Sequence, residues 1–168
     1  QQVKISSDEG LNFFEIDQRF KNVIETFKSP VVVCMVSYDL MLHDLTSSRP
    51  YTVLSEKDRN KPEYKNVDLE KARKILEQKK ASKEILKAYD PEEKKVFELI
   101  QLYQYDNESL LDQLSVDRVQ GTDYLNILYK SEHPEMSAFV VNTIGKEFIS
   151  FFSSINNTRT EESAGRLD

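Results

Sequence analysis

The chain has 168 residues, of which 39% are hydrophobic and 31% are charged, and its formal net charge is −6. This length predicts one domain of ordinary size that buries its own hydrophobic core. The negative charge disfavours a general nucleic-acid-binding protein, and a total of four glycines disfavours a glycine-rich phosphate loop. The single cysteine, Cys34, excludes an internal disulfide and a cysteine-rich zinc site.

The N-terminal third predicts a short strand followed by two helices. Residues 1–6 alternate polar and apolar side chains, which is typical of a strand. Ser29-Pro30 both ends the first predicted helix and begins the second, which extends to about Leu45 and which we favour over a strand at residues 31–33. We expect the first helix to follow Gly10, because its apolar residues recur every three or four positions: Phe13, Ile16, Phe20, Val23 and Phe27.

The middle third is polar and strongly charged. Residues 46–66 predict an exposed connection in which only residues 51–54 could form a short strand. A charged helix is predicted over residues 67–89, and Asp90-Pro91 predicts the start of the next helix. A short helical turn is expected over residues 107–114.

The C-terminal third carries the clearest periodicity. Apolar residues on both sides of Gly121 alternate and predict a strand pair, and a long helix is expected from Pro134 to about Gly165. This helix loses its apolar face beyond Ile155, so we expect its end to project from the core. The chain therefore predicts a helix-rich α+β fold with a small mixed β-sheet and a long projecting C-terminal helix.

No catalytic, cofactor-binding or metal-binding group emerges from the spacing of reactive residues. Cys34 and His43 would lie on opposite faces of one helix, so we interpret Cys34 as a buried small hydrophobe. Asp39 and His43 are four residues apart and are predicted to form a surface ion pair. The lysines of the charged helix alternate with Glu70, Glu77 and Glu84, which favours a solvated face over a phosphate-binding one.

Residues 122–144, TDYLNILYKSEHPEMSAFVVNTI, resemble the periplasmic domain of the Wzz-type polysaccharide chain-length determinants, or polysaccharide co-polymerases. The shared pattern is a strand, an S-x-x-P-E turn, and a helix that carries A-x-x-V-N and aromatic residues before a long polar helix. A weaker similarity covers residues 12–45. The residues that carry the motif are Ser131, Pro134, Glu135, Ala138, Val141, Asn142 and Phe148.

The resemblance implies a non-catalytic scaffold at the periplasmic face of a bacterial inner membrane, without a cofactor. Such proteins assemble as rings and regulate the chain length of O-antigen, capsule or exopolysaccharide, so the implied partners are further copies, a polysaccharide polymerase or the growing glycan. Residues 1–168 would be one domain fragment, with a membrane-proximal base and residues 134–168 beginning a helical arm. Because the sequence begins at Gln1, we expect the membrane-spanning segments to lie outside it.

Two surfaces are candidates for subunit contacts: the exposed flank of the Pro134–Ile155 helix and the region from Glu56 to Tyr89. Lys79, Lys80 and Lys83 are the predicted interface residues of the second surface. Asn142 is expected either to form hydrogen bonds beneath the sheet or to lie in an interface. The alternative function is a cytosolic domain that binds a protein partner through the charged helix; weak nucleic-acid binding by the same lysines is a third possibility.

Overall fold

The computed structural model describes residues 7–166, with side chains from residue 12 onward, and it confirms a helix-rich α+β fold. The predicted strand at residues 1–6 lies outside the described part. Eight helices and two strands occur in the described range: α1 Ser7–Phe27, α2 Pro30–Thr46, α3 Glu56–Arg59, α4 Pro62–Lys65, α5 Leu69–Ser82, α6 Pro91–Leu102, α7 Asn107–Gln113, β1 Leu114–Arg118, β2 Leu125–Tyr129 and α8 Pro134–Gly165.

Helix α2 is the centre of the molecule. Ser29 caps it by accepting a hydrogen bond from the backbone N–H of Val32, with Pro30 in the first turn, as the sequence predicted. Most of its side chains are buried, because α1, α5, α7 and α8 all pack around it. Helix α2 therefore contacts helices from both the N-terminal and the C-terminal parts of the chain.

Helix α1 differs from the prediction at its N-terminal end. It begins at Ser7 and continues through Gly10, which a helix tolerates at a cost of about 1 kcal/mol. Only its C-terminal half packs on the core, where Phe27 is 6% exposed, whereas Phe13 and Ile16 of the predicted apolar face are exposed.

The predicted charged helix over residues 67–89 is too long. Helix α5 ends at Ser82, and Lys83 adopts a left-handed backbone conformation with φ of 55°. The following segment is irregular and is held by the hydroxyl of Tyr38, which donates to Glu84 O (3.0 Å) and accepts from Leu86 N (3.1 Å). The helix end is closed locally by hydrogen bonds from Glu84 N to Lys79 O and from Lys83 N to Lys80 O, although the sequence contains no glycine or proline at this point.

The predicted strand pair is confirmed, and its two strands are antiparallel. Val116 pairs with Ile127, and Gly121 in the connecting turn has φ of 74°. Within the described residues the sheet contains these two strands alone, whereas a mixed sheet was expected. The possible strand at residues 51–54 is irregular, because the backbone N–H groups of Tyr51 and Thr52 bond to a side chain.

Helix α8 packs along α2 and β2 and then extends beyond them. Val140 and Ile144 are buried, whereas every residue from Asn156 to Gly165 is exposed. At a rise of 1.5 Å per residue, the 32-residue helix is about 48 Å long and its exposed end about 15 Å. The predicted projecting helix is therefore present. No helix in residues 7–166 combines the length and the hydrophobicity needed to cross a membrane.

Candidate functional site

The motif residues that carry the family resemblance fall into two groups on and before α8. Phe148 is half-buried and stacks on Phe27, with ring centroids 4.0 Å apart, so it joins α8 to α1. Ser131 accepts a hydrogen bond from the backbone N–H of His133 (3.1 Å), which shapes the turn before the helix. Pro134 then occupies the first turn of α8. These three residues have structural roles.

The second group forms an exposed face of α8. Glu135, Ala138 and Asn142 are exposed, and Val141 beside them is half-buried. Ala138, Asn142 and Ile149 share one side of the helix by their spacing, and Ile149 is 64% exposed. Because Asn142 is exposed, the expected hydrogen bonding beneath the sheet is wrong.

The three predicted interface lysines all contact groups within the chain. Lys79 is buried and forms ion pairs with Glu93 (2.8 Å) and Glu84 (3.2 Å), which raise its pKa. Lys80 pairs with Asp39, and Lys83 donates to Ser150 Oγ (2.8 Å). The predicted solvated face is therefore correct only in part: Lys74 is exposed, whereas the side of α5 that carries these lysines packs against α2 and α6.

Lys80 belongs to a charge cluster that joins three helices. Its ammonium group lies between the carboxylates of Asp39 on α2 and Glu147 on α8, the latter at 3.9 Å. Both carboxylate side chains are 12% exposed. Burial and the neighbouring Asp39 raise the pKa of Glu147 to about 7, against the opposing effect of Lys80 and Lys83. The surroundings of Glu147 therefore favour its protonated form.

Asp44 forms the centre of a second network, which is shielded from solvent. Its side chain is 0% exposed and accepts four hydrogen bonds: from Tyr105 Oη (2.6 Å), Tyr51 N (2.9 Å), Thr52 N (3.0 Å) and His43 Nδ1 (2.9 Å). Because the Tyr105 hydroxyl donates to Asp44, Thr52 Oγ1 donates to Tyr105 in turn (2.8 Å). His43 thus contacts Asp44, and the predicted surface ion pair with Asp39 is wrong.

The Asp44 network forms one wall of an open groove of about 1090 Å³. Four tyrosines line it: Tyr51, Tyr103, Tyr105 and Tyr129. Polar side chains on its rim include Gln104, Asp112 and Gln113, and the motif residue Ser131 also lines it. Sequence analysis missed this site, although an aspartate on the apolar face of α2, four residues after Leu40, was a detectable sign of a buried polar network.

Cys34 is half-buried, and its thiol donates to Asn107 Oδ1 (3.3 Å). Burial raises its pKa, which disfavours the reactive thiolate form.

Among the described side chains, no group of three or more His, Cys, Asp or Glu residues is placed to hold a metal ion. The geometry provides a tyrosine-lined groove, an exposed helix face and a proton-sensitive cluster.

Comparison of the chain with protein-family models, curated proteins and solved structures found no match. The fold class alone is therefore assigned, as a helix-rich α+β domain.

Proposed function

We propose that this chain is part of a non-catalytic scaffold that regulates the chain length of a bacterial surface polysaccharide at the periplasmic face of the inner membrane. The sequence resemblance over residues 122–144 motivates the proposal. The observation that carries it is the long helix α8, which begins beside the sheet and extends about 15 Å beyond the core. A compact base with a projecting helix suits a protein that assembles side by side with copies of itself.

The exposed end of α8 favours assembly on energetic grounds. A short helix without a packed apolar face is only marginally stable in water. Residues 156–165 have no such face, so contact with another helical segment would stabilise them. A heterologous contact repeated by rotation closes into a ring.

The surface that we assign to self-association is the face of α8 with Ala138, Asn142 and Ile149. An exposed isoleucine beside small and amide side chains can be covered by a neighbouring helix at close approach. Replacing Ile149 by Asp in the full-length protein is expected to reduce the size of the detergent-extracted oligomer. Phe97→Asp on α6 is the matched control, because Phe97 is also a partly exposed apolar residue (43%).

Protease accessibility in cells tests the proposed location. Under the proposal, an antibody to this segment detects a membrane-bound protein that external protease cuts only after the outer membrane is permeabilised. A protein that stays protected after that treatment and fractionates with the cytosol would contradict it.

That second outcome would favour the alternative of a cytosolic protein-interaction domain that uses the charged region 67–89. The structure offers this alternative less surface than the sequence suggested, because Lys79, Lys80 and Lys83 contact groups within the chain. Lys74 and Glu77 of α5 remain exposed and would be the first residues to replace.

A further inference from the structure

Hydrogen bonds of the Asp44 network hold one wall of the groove. The buried carboxylate fixes the backbone at Tyr51 and Thr52 and the hydroxyl of Tyr105. His43 stacks on Tyr51 with ring centroids 4.1 Å apart, which fixes that ring as well. A preformed site of this kind avoids the entropy cost of ordering its walls when a ligand binds.

The chemistry of the lining suits a ligand that carries both apolar faces and many hydroxyl groups. Tyrosine supplies large, rigid, amphipathic contact area with little conformational entropy to lose, and Tyr51 and Tyr129 are half-buried at the groove. Gln104 and Gln113 each offer an amide donor and an amide acceptor, and both are exposed. The hydroxyl groups of such a ligand can form hydrogen bonds with the amide groups of both glutamines.

The charges of the groove argue against a phosphorylated or otherwise strongly anionic ligand. Asp112 and Glu132 line it together with Lys130, so positive charge is in the minority. A polyphosphate or nucleic acid would require a net positive surface. At about 1090 Å³, the open groove lies at the upper end of the size range of ligand sites, which leaves room for an extended ligand.

Gln104, which lines the groove, follows the end of α6 in an unusual backbone conformation. It has φ of 59°, a left-handed conformation that normally selects glycine after a helix. The Tyr105 N–H donates to Ile100 O, and the Gln104 N–H donates to Gln101 O. This pair of hydrogen bonds is common at helix ends where glycine follows the last turn. Lys83 ends α5 with the same backbone conformation away from the groove, so this geometry ends a helix, and at α6 it places Gln104 in the lining of the groove.

We propose that this groove binds a glycan segment, with sugar rings packed against Tyr51 and Tyr129 and their hydroxyl groups bonded to Gln104, Gln113 and Asp112. The inference rests on the proposed function, in which a polysaccharide is the partner, and it assigns the contact to residues outside the self-association face of α8.

Photocrosslinking in cells tests this assignment whatever the identity of the sugar. A benzophenone amino acid replaces Gln104 or Gln113 in the full-length protein, with Gln120 as the matched control. All three residues are exposed glutamines, and Gln120 lies in the β-hairpin turn and does not line the groove. After irradiation, the protein is separated by size and stained for carbohydrate, with and without periodate oxidation.

The proposal predicts a ladder of heavier, carbohydrate-positive species at Gln104 and Gln113 that periodate abolishes, and no ladder at Gln120. The absence of the ladder at both groove positions, or an equal ladder at Gln120, would overturn it. The polysaccharide length profile of a deletion strain separates the two proposals. If deletion alters the profile and the groove does not crosslink, the groove assignment alone fails; if deletion leaves the profile unchanged, the scaffold function fails.

Discussion

Asp39 and Asp44 lie five residues apart on α2, and their surroundings differ in one decisive respect. Asp44 has four hydrogen-bond donors, and its side chain is 0% exposed. Asp39 instead shares one ammonium group, that of Lys80, with a second carboxylate, Glu147. A buried carboxylate whose hydrogen bonds are all formed stabilises one local structure. The stability of two carboxylates that share one cation depends on pH, because protonation of one acid removes their repulsion.

The largest expected effect comes from the satisfied network. Asp44→Ala leaves buried donors from Tyr51, Thr52 and Tyr105 without an acceptor, and we expect it to lower the free energy of unfolding by about 3–4 kcal/mol. Urea denaturation measures this loss. The control Asp112→Ala removes an exposed carboxylate and should change stability by less than about 0.5 kcal/mol. Similar losses of unfolding free energy in the two variants would contradict the view that the Asp44 hydrogen bonds stabilise the fold.

Removing the shared cation should have a smaller effect that depends on pH. Lys80→Met leaves Asp39 and Glu147 facing each other, at an expected cost of about 1–2 kcal/mol at pH 8, because Lys80 is 39% exposed and partly screened. At pH 5, where Glu147 binds a proton, the cost should be lower. Lys74→Met on the exposed side of α5 serves as the control, and a loss that is equal at both pH values would contradict the shared-cation interpretation.

The wild-type protein should itself lose stability as the pH rises through the titration of Glu147. Its pKa is raised in the folded state from the ordinary 4.5 to about 7, so folding favours the protonated form. The resulting stabilisation is fully present below pH 4.5 and disappears as the pH rises to about 7. The Glu147→Gln variant cannot titrate at this position, so its melting temperature should not show this fall with rising pH. Melting temperatures of wild type and variant that change with pH at the same slope would contradict the prediction.

The smallest expected effect has the opposite sign. Gln104→Gly relieves a left-handed backbone and should stabilise the fold by about 0.5–1 kcal/mol. Lys83→Gly relieves the same conformation after α5 but also removes the bond to Ser150, so its gain should be smaller. Chemical denaturation of both variants gives the comparison. Destabilisation by Gln104→Gly would mean that the glutamine side chain supports the fold itself.

Local features of the fold were predictable from the sequence. The caps at Ser29-Pro30 and Asp90-Pro91, and the hairpin around Gly121, depend on neighbouring residues and agree with the structure. Features that depend on contacts between distant residues were not predictable from the sequence. The irregular segment after α5 is held by Tyr38, which lies more than forty residues away, and no sequence signal marks this contact.

The candidate groove could not be predicted from the sequence for the same reason. Asp44 meets Tyr105 across 61 residues, and a tyrosine that lines a groove has no periodicity that separates it from a core residue. The burial of Lys79 was missed because lysines that alternate with glutamates are usually solvated. Helix α8 was predictable from its apolar periodicity, whereas a functional role for it and for the segment before it was suggested only by the family resemblance.

The central claim is that the full-length protein regulates polysaccharide chain length, and the most direct measurement is the length profile of the surface polysaccharide in a deletion strain. Gel electrophoresis should show that the strain still makes polymer but loses its preferred length, and that the wild-type gene restores it. An unchanged profile in the deletion strain would contradict the account.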